Sequence, residues 1–167
     1  MSIREEILQE HSKEQSTRIA KQVCNSKALF KELMQCFLGN EKTVAQRASW
    51  IVSIAAKMNP EIIKPYIKDL VSMMQRKDVH NALIRNSVRV LGKMDIPEPF
   101  HGEVMNTCFQ FIEDPKTLPA IKAFSITILH NLSKQYPEIL HELKLIIHER
   151  WDTETAAFKS RGRKIIK

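Results

Sequence analysis

Three prolines, Pro60, Pro99 and Pro137, recur at intervals of 39 and 38 residues, a period in the range that marks repeat architectures. The residues around them recur as well. On this frame Val44, Ile51, Val52 and Ala55 fall on Leu83, Val90, Leu91 and Met94, and then on Ile121, Ile128, Leu129 and Leu132. The shared spacing i, i+7, i+8, i+11 places each set on one face of a helix. A second apolar stripe follows each proline: Ile67, Leu70, Val71, Met74; Val104, Cys108, Phe111, Ile112; and Ile139, Leu143, Ile146, Ile147. Proline blocks continuation of the helix before it and presets the first turn of the helix after it. Each period therefore reads as a helix, a proline corner and a second helix of similar length.

The punctuation between periods agrees. Gly39-Asn40, Lys77-Asp78 and Asp114-Pro115 with Thr117 separate the units. Ser2 with Glu5, and Ser12 with Gln15, have the spacing of capping boxes, and Ser26 is placed to cap a helix bearing Leu29, Leu33 and Phe37. Units are expected over about 2–38, 41–77, 78–113 and 117–151, with a closing helix at 155–166, in one domain of about three and a half helix pairs. Only four glycines and 7% aromatic residues leave strands little support. The expected fold is all-α: helix pairs stacked as a short right-handed superhelix. Ile51, Leu91 and Leu129 are expected to be buried at corresponding places. The closing helix, with Phe158, Gly162, Ile165 and Ile166 on one side, is expected to pack on Ile139, Leu143, Ile147 and Trp151.

Charge is uneven. The chain carries +7 overall, and residues 153–167 hold five cations, Lys159, Arg161, Arg163, Lys164 and Lys167, against Glu154. Such a basic end suits acidic partners, although a solvated helix face has the same composition. Arg47, Arg85, Arg89 and Lys122 fall at comparable places in successive units, so stacking can align them as a ladder for acidic groups, or each can bond the carbonyls or carboxylates of the next repeat. Partner-binding candidates are thus Arg47, Arg85, Arg89, Lys122, Lys159, Arg161, Arg163 and Lys164. No apolar run approaches the roughly 20 residues of a membrane span, and residues 1–9 lack the continuous apolar stretch of a signal peptide. Cys24, Cys36 and Cys108 are odd in number and sit beside apolar neighbours, as reduced thiols do. A cytoplasmic monomer is expected.

Catalytic and metal chemistry find little support. His141 and His148 stand roughly 10 Å apart along a helix, too far to share one ion, and no His, Cys and carboxylate set has metal spacing. His130 reads as a partly buried, hydrogen-bonded side chain. Four isolated glycines build neither a nucleophile elbow nor a phosphate loop. No cofactor, metal or catalytic residue is expected.

The paired-helix units resemble the HEAT-like repeats, which stack into a right-handed superhelix. Arg47-Ala48-Ser49-Trp50 and the ending Ala156-Ala157-Phe158-Lys159-Ser160-Arg161-Gly162-Arg163-Lys164 resemble small bacterial HEAT-like proteins that often carry the label adenylosuccinate lyase. Lys57-Met58-Asn59-Pro60 mimics only the tail of the lyase signature, whose serine positions here hold Ile51 and Val52 and whose Met-Pro positions hold Ile54 and Ala55. The resemblance implies a non-enzymatic scaffold that docks a protein or peptide on a curved surface. A HEAT-like fold also serves the alkylpurine DNA glycosylases, which combine aromatics with an acidic residue, and Trp151-Asp152 is the adjacent pair of that kind. Nucleic-acid binding, or a degenerate glycosylase-like role, is therefore the alternative. Trp50 and Trp151 otherwise read as packing residues.

Overall fold

The computed structural model describes residues 1–166. The helices are α1 (Ile3–Gln9), α2 (Lys13–Val23), α3 (Lys27–Leu38), α4 (Lys42–Met58), α5 (Pro60–Ile63), α6 (Ile67–Met74), α7 (Asn81–Leu91), α8 (His101–Glu113), α9 (Pro119–Leu132), α10 (Pro137–Arg150) and α11 (Ala156–Arg163). No strand occurs among the described residues. Pro60 and Pro137 open α5 and α10, and Pro99 sits in a 3-10 turn, Glu98–Phe100, that leads into α8. The second helix of the first proline-marked unit is not continuous. Pro65 has no amide hydrogen to continue the ladder, so a 3-10 turn, Lys64–Tyr66, separates α5 from α6. Backbone packing groups the chain into two compact units, Met1–Val90 and the part from Leu91 onward.

In the first unit α4 is the central helix, packed on α1, α2, α3 and α5. Its composition explains this position. Val44, Ile51 and Val52 are buried together with the small residues Ala45, Ala48, Ser49, Ser53, Ala55 and Ala56. Small side chains let neighbouring helices approach on several sides, and each fully buried aliphatic contributes about 1.5–3 kcal/mol. Phe30, Leu33, Met34 and Phe37 of α3 close the core. The Ser2/Glu5 capping box forms in both directions, at 3.1 Å each way. The Ser12 box forms only by half: Ser12 Oγ accepts from the Gln15 amide at 3.1 Å, while the Gln15 side chain donates instead to the Glu6 carbonyl.

In the second unit α9 is central, against α8, α10 and α11. Ile121, Ile126, Ile128, Leu129 and Leu132 are buried along it. The closing helix is shorter than 155–166 and begins after Thr155, whose side chain accepts from the Phe158 amide. Its principal neighbour is α9 rather than α10. Phe158 and Ile165 are buried as the apolar stripe requires. At Gly162 the helix comes close to the end of α10: an added Cβ would stand 2.9 Å from Ile147 Cγ2 and 3.1 Å from Trp151 Cζ3.

Ile51, Leu91 and Leu129 are all buried. Met94, the last position of its stripe, lies past the end of α7 and is half-exposed. Side-chain hydrogen bonds repeat the 39-residue logic. Asn59 Nδ2 donates to the Cys24 carbonyl at 2.7 Å, Asn86 Nδ2 to Ser49 Oγ at 2.9 Å, and Asn131 Nδ2 to the Gly92 carbonyl at 3.1 Å. These bonds join residues 35, 37 and 39 positions apart. One period is thereby tied to the next through groups that helix packing alone leaves unsatisfied.

Candidate partner-binding surface

Helices α4 and α7 lie side by side, and one polar chain runs from the buried seam between them to the surface. Ser49, wholly buried, donates to the Gln46 carbonyl at 2.7 Å and accepts from Asn86 Nδ2. Asn86 Oδ1 in turn accepts from Arg89 Nη1 at 3.0 Å. The Arg89 guanidinium is thus aimed by a buried amide that is itself fixed. Arg85 stands one turn earlier on the same face. Burial, then the positive charge of Arg85, holds the Arg89 pKa below its ordinary value.

These two arginines line a cleft with His11, Gln46, Trp50, Ala82 and Asn86. No carboxylate lines it. Trp50 is half-buried, with His11 edge-on to its ring at 6.3 Å between centroids and 74° between planes. Among the described residues, no hydrogen bond engages the Trp50 indole N–H, the Gln46 side-chain amide or the Arg85 guanidinium. The cleft thus offers unengaged donors and two cations with no anionic acceptor among its lining residues.

The other candidate cations go elsewhere. Arg47 does not join Arg85 and Arg89: its Nη1 donates to the Ile7 carbonyl at 3.2 Å, satisfying one of the carbonyls that the end of α1 leaves open. Lys122 is not on the surface. Its Nζ lies 2.7 Å from Glu154 Oε1, with the two side chains only 4% and 5% exposed. Glu154 also takes Arg150, at 2.8 Å from Nε, and Arg150 Nη1 reaches the Glu113 carbonyl. Burial would raise the Glu154 carboxyl pKa, but the hydrogen bonds and charges of Lys122 and Arg150 outweigh it and hold the group below its ordinary value. A lysine with no water around it needs such a partner; Arg47 on a carbonyl and Lys122 on a carboxylate follow the bracing alternative rather than the ladder.

On α11 the cations meet aromatics of the second unit. Lys159 Nζ and the Arg163 guanidinium lie 6.0 and 5.7 Å from the Trp151 ring centroid. Arg161 lies over Phe124 at 5.6 Å and donates to Thr127 Oγ1. Arg163 and Lys164 are exposed, whereas Lys159 and Arg161 are half-buried. The helix therefore presents outward only part of the charge expected of it.

Trp50 and Gln46 are the members of the α4–α7 cleft that the pattern of cations misses. A signal for them exists in the sequence: on the 39-residue frame Gln46 falls on Arg85 and Trp50 on Arg89. Both pairs occupy successive turns of neighbouring helices, so helix stacking brings the four together.

Residues with chemical potential elsewhere are occupied structurally. Cys108 is buried, and burial pushes its thiol pKa up to about 12. His101, buried, has Nδ1 at 2.9 Å from the Tyr136 hydroxyl and Nε2 at 2.6 Å from the Ile96 carbonyl. His141 and His148 are exposed. His130 is half-buried, and burial and Lys134 lower its pKa. The lyase-like tail Lys57-Met58-Asn59-Pro60 is a helix corner, with Asn59 bonded to Cys24 and Pro60 starting α5. Among the described residues no group of three or more His, Cys, Asp or Glu is placed to hold a metal ion. No helix of the described residues is long and apolar enough to cross a membrane.

The sequence matches the family model of the HEAT repeat domain over residues 3–167. Nothing among curated proteins or solved structures matches it significantly. The paired helices, the cross-links between residues 35, 37 and 39 positions apart and the family model converge, and the chain belongs to the HEAT repeat domain family.

Proposed function

We propose that this chain is a non-enzymatic interaction scaffold, a cytoplasmic monomer that engages a protein or peptide partner through side chains displayed between adjacent helices. HEAT repeats generally serve as scaffolds for protein interactions. The observation that carries the reading for this chain is the α4–α7 cleft. Buried residues Ser49 and Asn86 fix Arg89, while Trp50, Gln46 and Arg85 offer unused donors and an aromatic surface. Aromatic and arginine side chains in one partly desolvated cleft have the make-up of interface hot spots.

Nucleic-acid binding remains the second reading because aromatics and cations do interleave. Trp50 stands with Arg85 and Arg89, and Trp151 with Lys159 and Arg163. Single-strand binders combine stacking surfaces with cations in this way. The residues for a glycosylase-like reaction receive less support, since Trp151 is packed against Gly162 and the α11 cations while Asp152 is exposed.

Affinity capture from the native cell, before and after nuclease and across about 50–300 mM salt, tests the choice. A protein retained after nuclease at both salt extremes is the expected result. Capture that vanishes with nuclease and falls steeply with salt overturns it in favour of the second reading.

A further inference from the structure

We propose that the cleft between α4 and α7 docks an extended acidic segment of the partner, with carboxylates at alternate residues facing Arg85 and Arg89 and an apolar side chain against Trp50. This inference rests on the scaffold reading above and adds the chemistry of what is bound. Four observations lead to it.

The first is the donor and acceptor inventory. Trp50 Nε1, the Gln46 amide and the Arg85 guanidinium have no partner among the described residues, and no carboxylate faces them. The complement of such a surface carries acceptors and negative charge. The second is preorganisation. Arg89 is already oriented by Asn86 Oδ1, and Asn86 by Ser49 Oγ, so little rotamer entropy is lost when Arg89 binds.

The third is spacing. Arg85 and Arg89 are four residues apart on α7, a rise of about 6 Å. Alternate side chains of an extended chain repeat every 6.6–6.8 Å, roughly the same distance. The Arg85 fork can take a carboxylate through two parallel hydrogen bonds, and Arg89, with Nη1 on Asn86 Oδ1, adds its positive charge one turn on, so an Asp/Glu-x-Asp/Glu pattern meets both arginines in register. The fourth is what lies beyond. Gln46 also lines a neighbouring depression with Lys42, Ala45, Val79 and Leu83. Its lining is mixed: Ala45, Val79 and Leu83 form an apolar part beside His80 and the Arg76–Asp78 pair at 2.8 Å. Asp78 neutralises Arg76 and would repel a phosphate backbone continuing here, whereas a peptide can place an apolar side chain on Ala45, Val79 and Leu83. From Lys42 to Trp50 the helix rises about 12 Å, room for roughly four extended residues.

The test uses the full chain and a fluorescent pool of end-capped octapeptides with Asp or Glu at alternate positions and apolar residues between. A matched pool carries Asn or Gln in place of the acids, and a short single-stranded DNA serves as competitor. The acidic pool is expected to bind at least about tenfold more tightly than the amide pool, and Arg85→Gln to lose about tenfold or more, as for a hydrogen bond to a charged group. Equal binding of the two pools, unchanged binding by a helical Arg85→Gln protein, or displacement of peptide by DNA at lower concentration than by unlabelled acidic peptide overturns the proposal. Should Arg85→Gln lose its helical spectrum, Trp151→Phe protein decides, because Trp50 is then its sole indole. A shift of its emission with the acidic pool and none with the amide pool supports docking, and no shift overturns it. If the acidic pool fails while a protein partner survives nuclease, the docking chemistry falls and the scaffold reading stands. If capture is nuclease-sensitive as well, both fall.

Discussion

Glu154→Gln removes the carboxylate that pairs with a buried lysine. Glu154 and Lys122 are 2.7 Å apart with side chains 5% and 4% exposed. Breaking a pair of this kind leaves an uncompensated charge and typically costs about 3–5 kcal/mol. Arg150, whose side chain is 22% exposed, can turn toward water, so the burden falls on Lys122. For a protein of this size about 1 kcal/mol moves Tm by about 2–4 °C, and the variant should melt roughly 6–20 °C lower by circular dichroism. Lys122→Met combined with Glu154→Gln should recover much of the loss, because the stranded ammonium is then gone. The sign with pH follows from the lowered folded-state pKa of Glu154. The unfolded carboxyl, near about 4.3, takes up its proton first. The stabilisation is therefore fully present above that value and is lost as pH falls through the folded pKa, and the gap between wild type and Glu154→Gln should close in acid. A Glu154→Gln protein within about 0.5 kcal/mol of wild type at neutral pH, the range of an ordinary surface change, would show that Lys122 is solvated and refute the reasoning.

Other outcomes follow from the same packing. Gly162→Val should destabilise by roughly 1–3 kcal/mol in urea unfolding, because even its Cβ falls 2.9 Å from Ile147 Cγ2; equal midpoints would mean that α11 stands away from α10. Leu129→Ala and Ile51→Ala, at positions 0% and 2% exposed, should each cost about 2–5 kcal/mol, and a loss below about 1 kcal/mol at both would disprove their burial. Cys108, with its thiol pKa pushed up to about 12, should react with a thiol reagent at neutral pH only when the protein unfolds, and rapid labelling in the native state would contradict its place between α8 and α9.

The helices were legible because their signals are local and repeat. The proline frame and its apolar stripes translate largely into buried faces; Phe111, Ile139 and Met94 are only half-buried, Met94 because α7 ends at Leu91. The break at Pro65 obeys the same rule as the proline corners, but the apolar stripe around it runs on and hides the interruption. The fates of the cations were only half-legible: an exposed ladder and bonding to a neighbouring repeat fit the sequence equally, and distant partners decide between them. A lysine is ordinarily exposed, and only the fold brings Lys122 against a glutamate 32 residues away. Arg47 likewise answers to a carbonyl 40 positions distant. The cleft was half-visible: Arg85 and Arg89 stand out as charges, whereas Gln46 and Trp50 become their neighbours only once the 39-residue frame is read for polar as well as apolar residues.

The central claim, that a protein partner docks on the α4–α7 cleft, is tested most directly by quantitative capture from nuclease-treated extract with wild type and a Trp50→Ala, Arg85→Gln double variant of confirmed helical spectrum. A protein retained by wild type and depleted at least about a hundredfold in affinity on the variant, as expected when two hot-spot side chains of about 2 kcal/mol or more are truncated, is the predicted result. Equal retention by both proteins would contradict it.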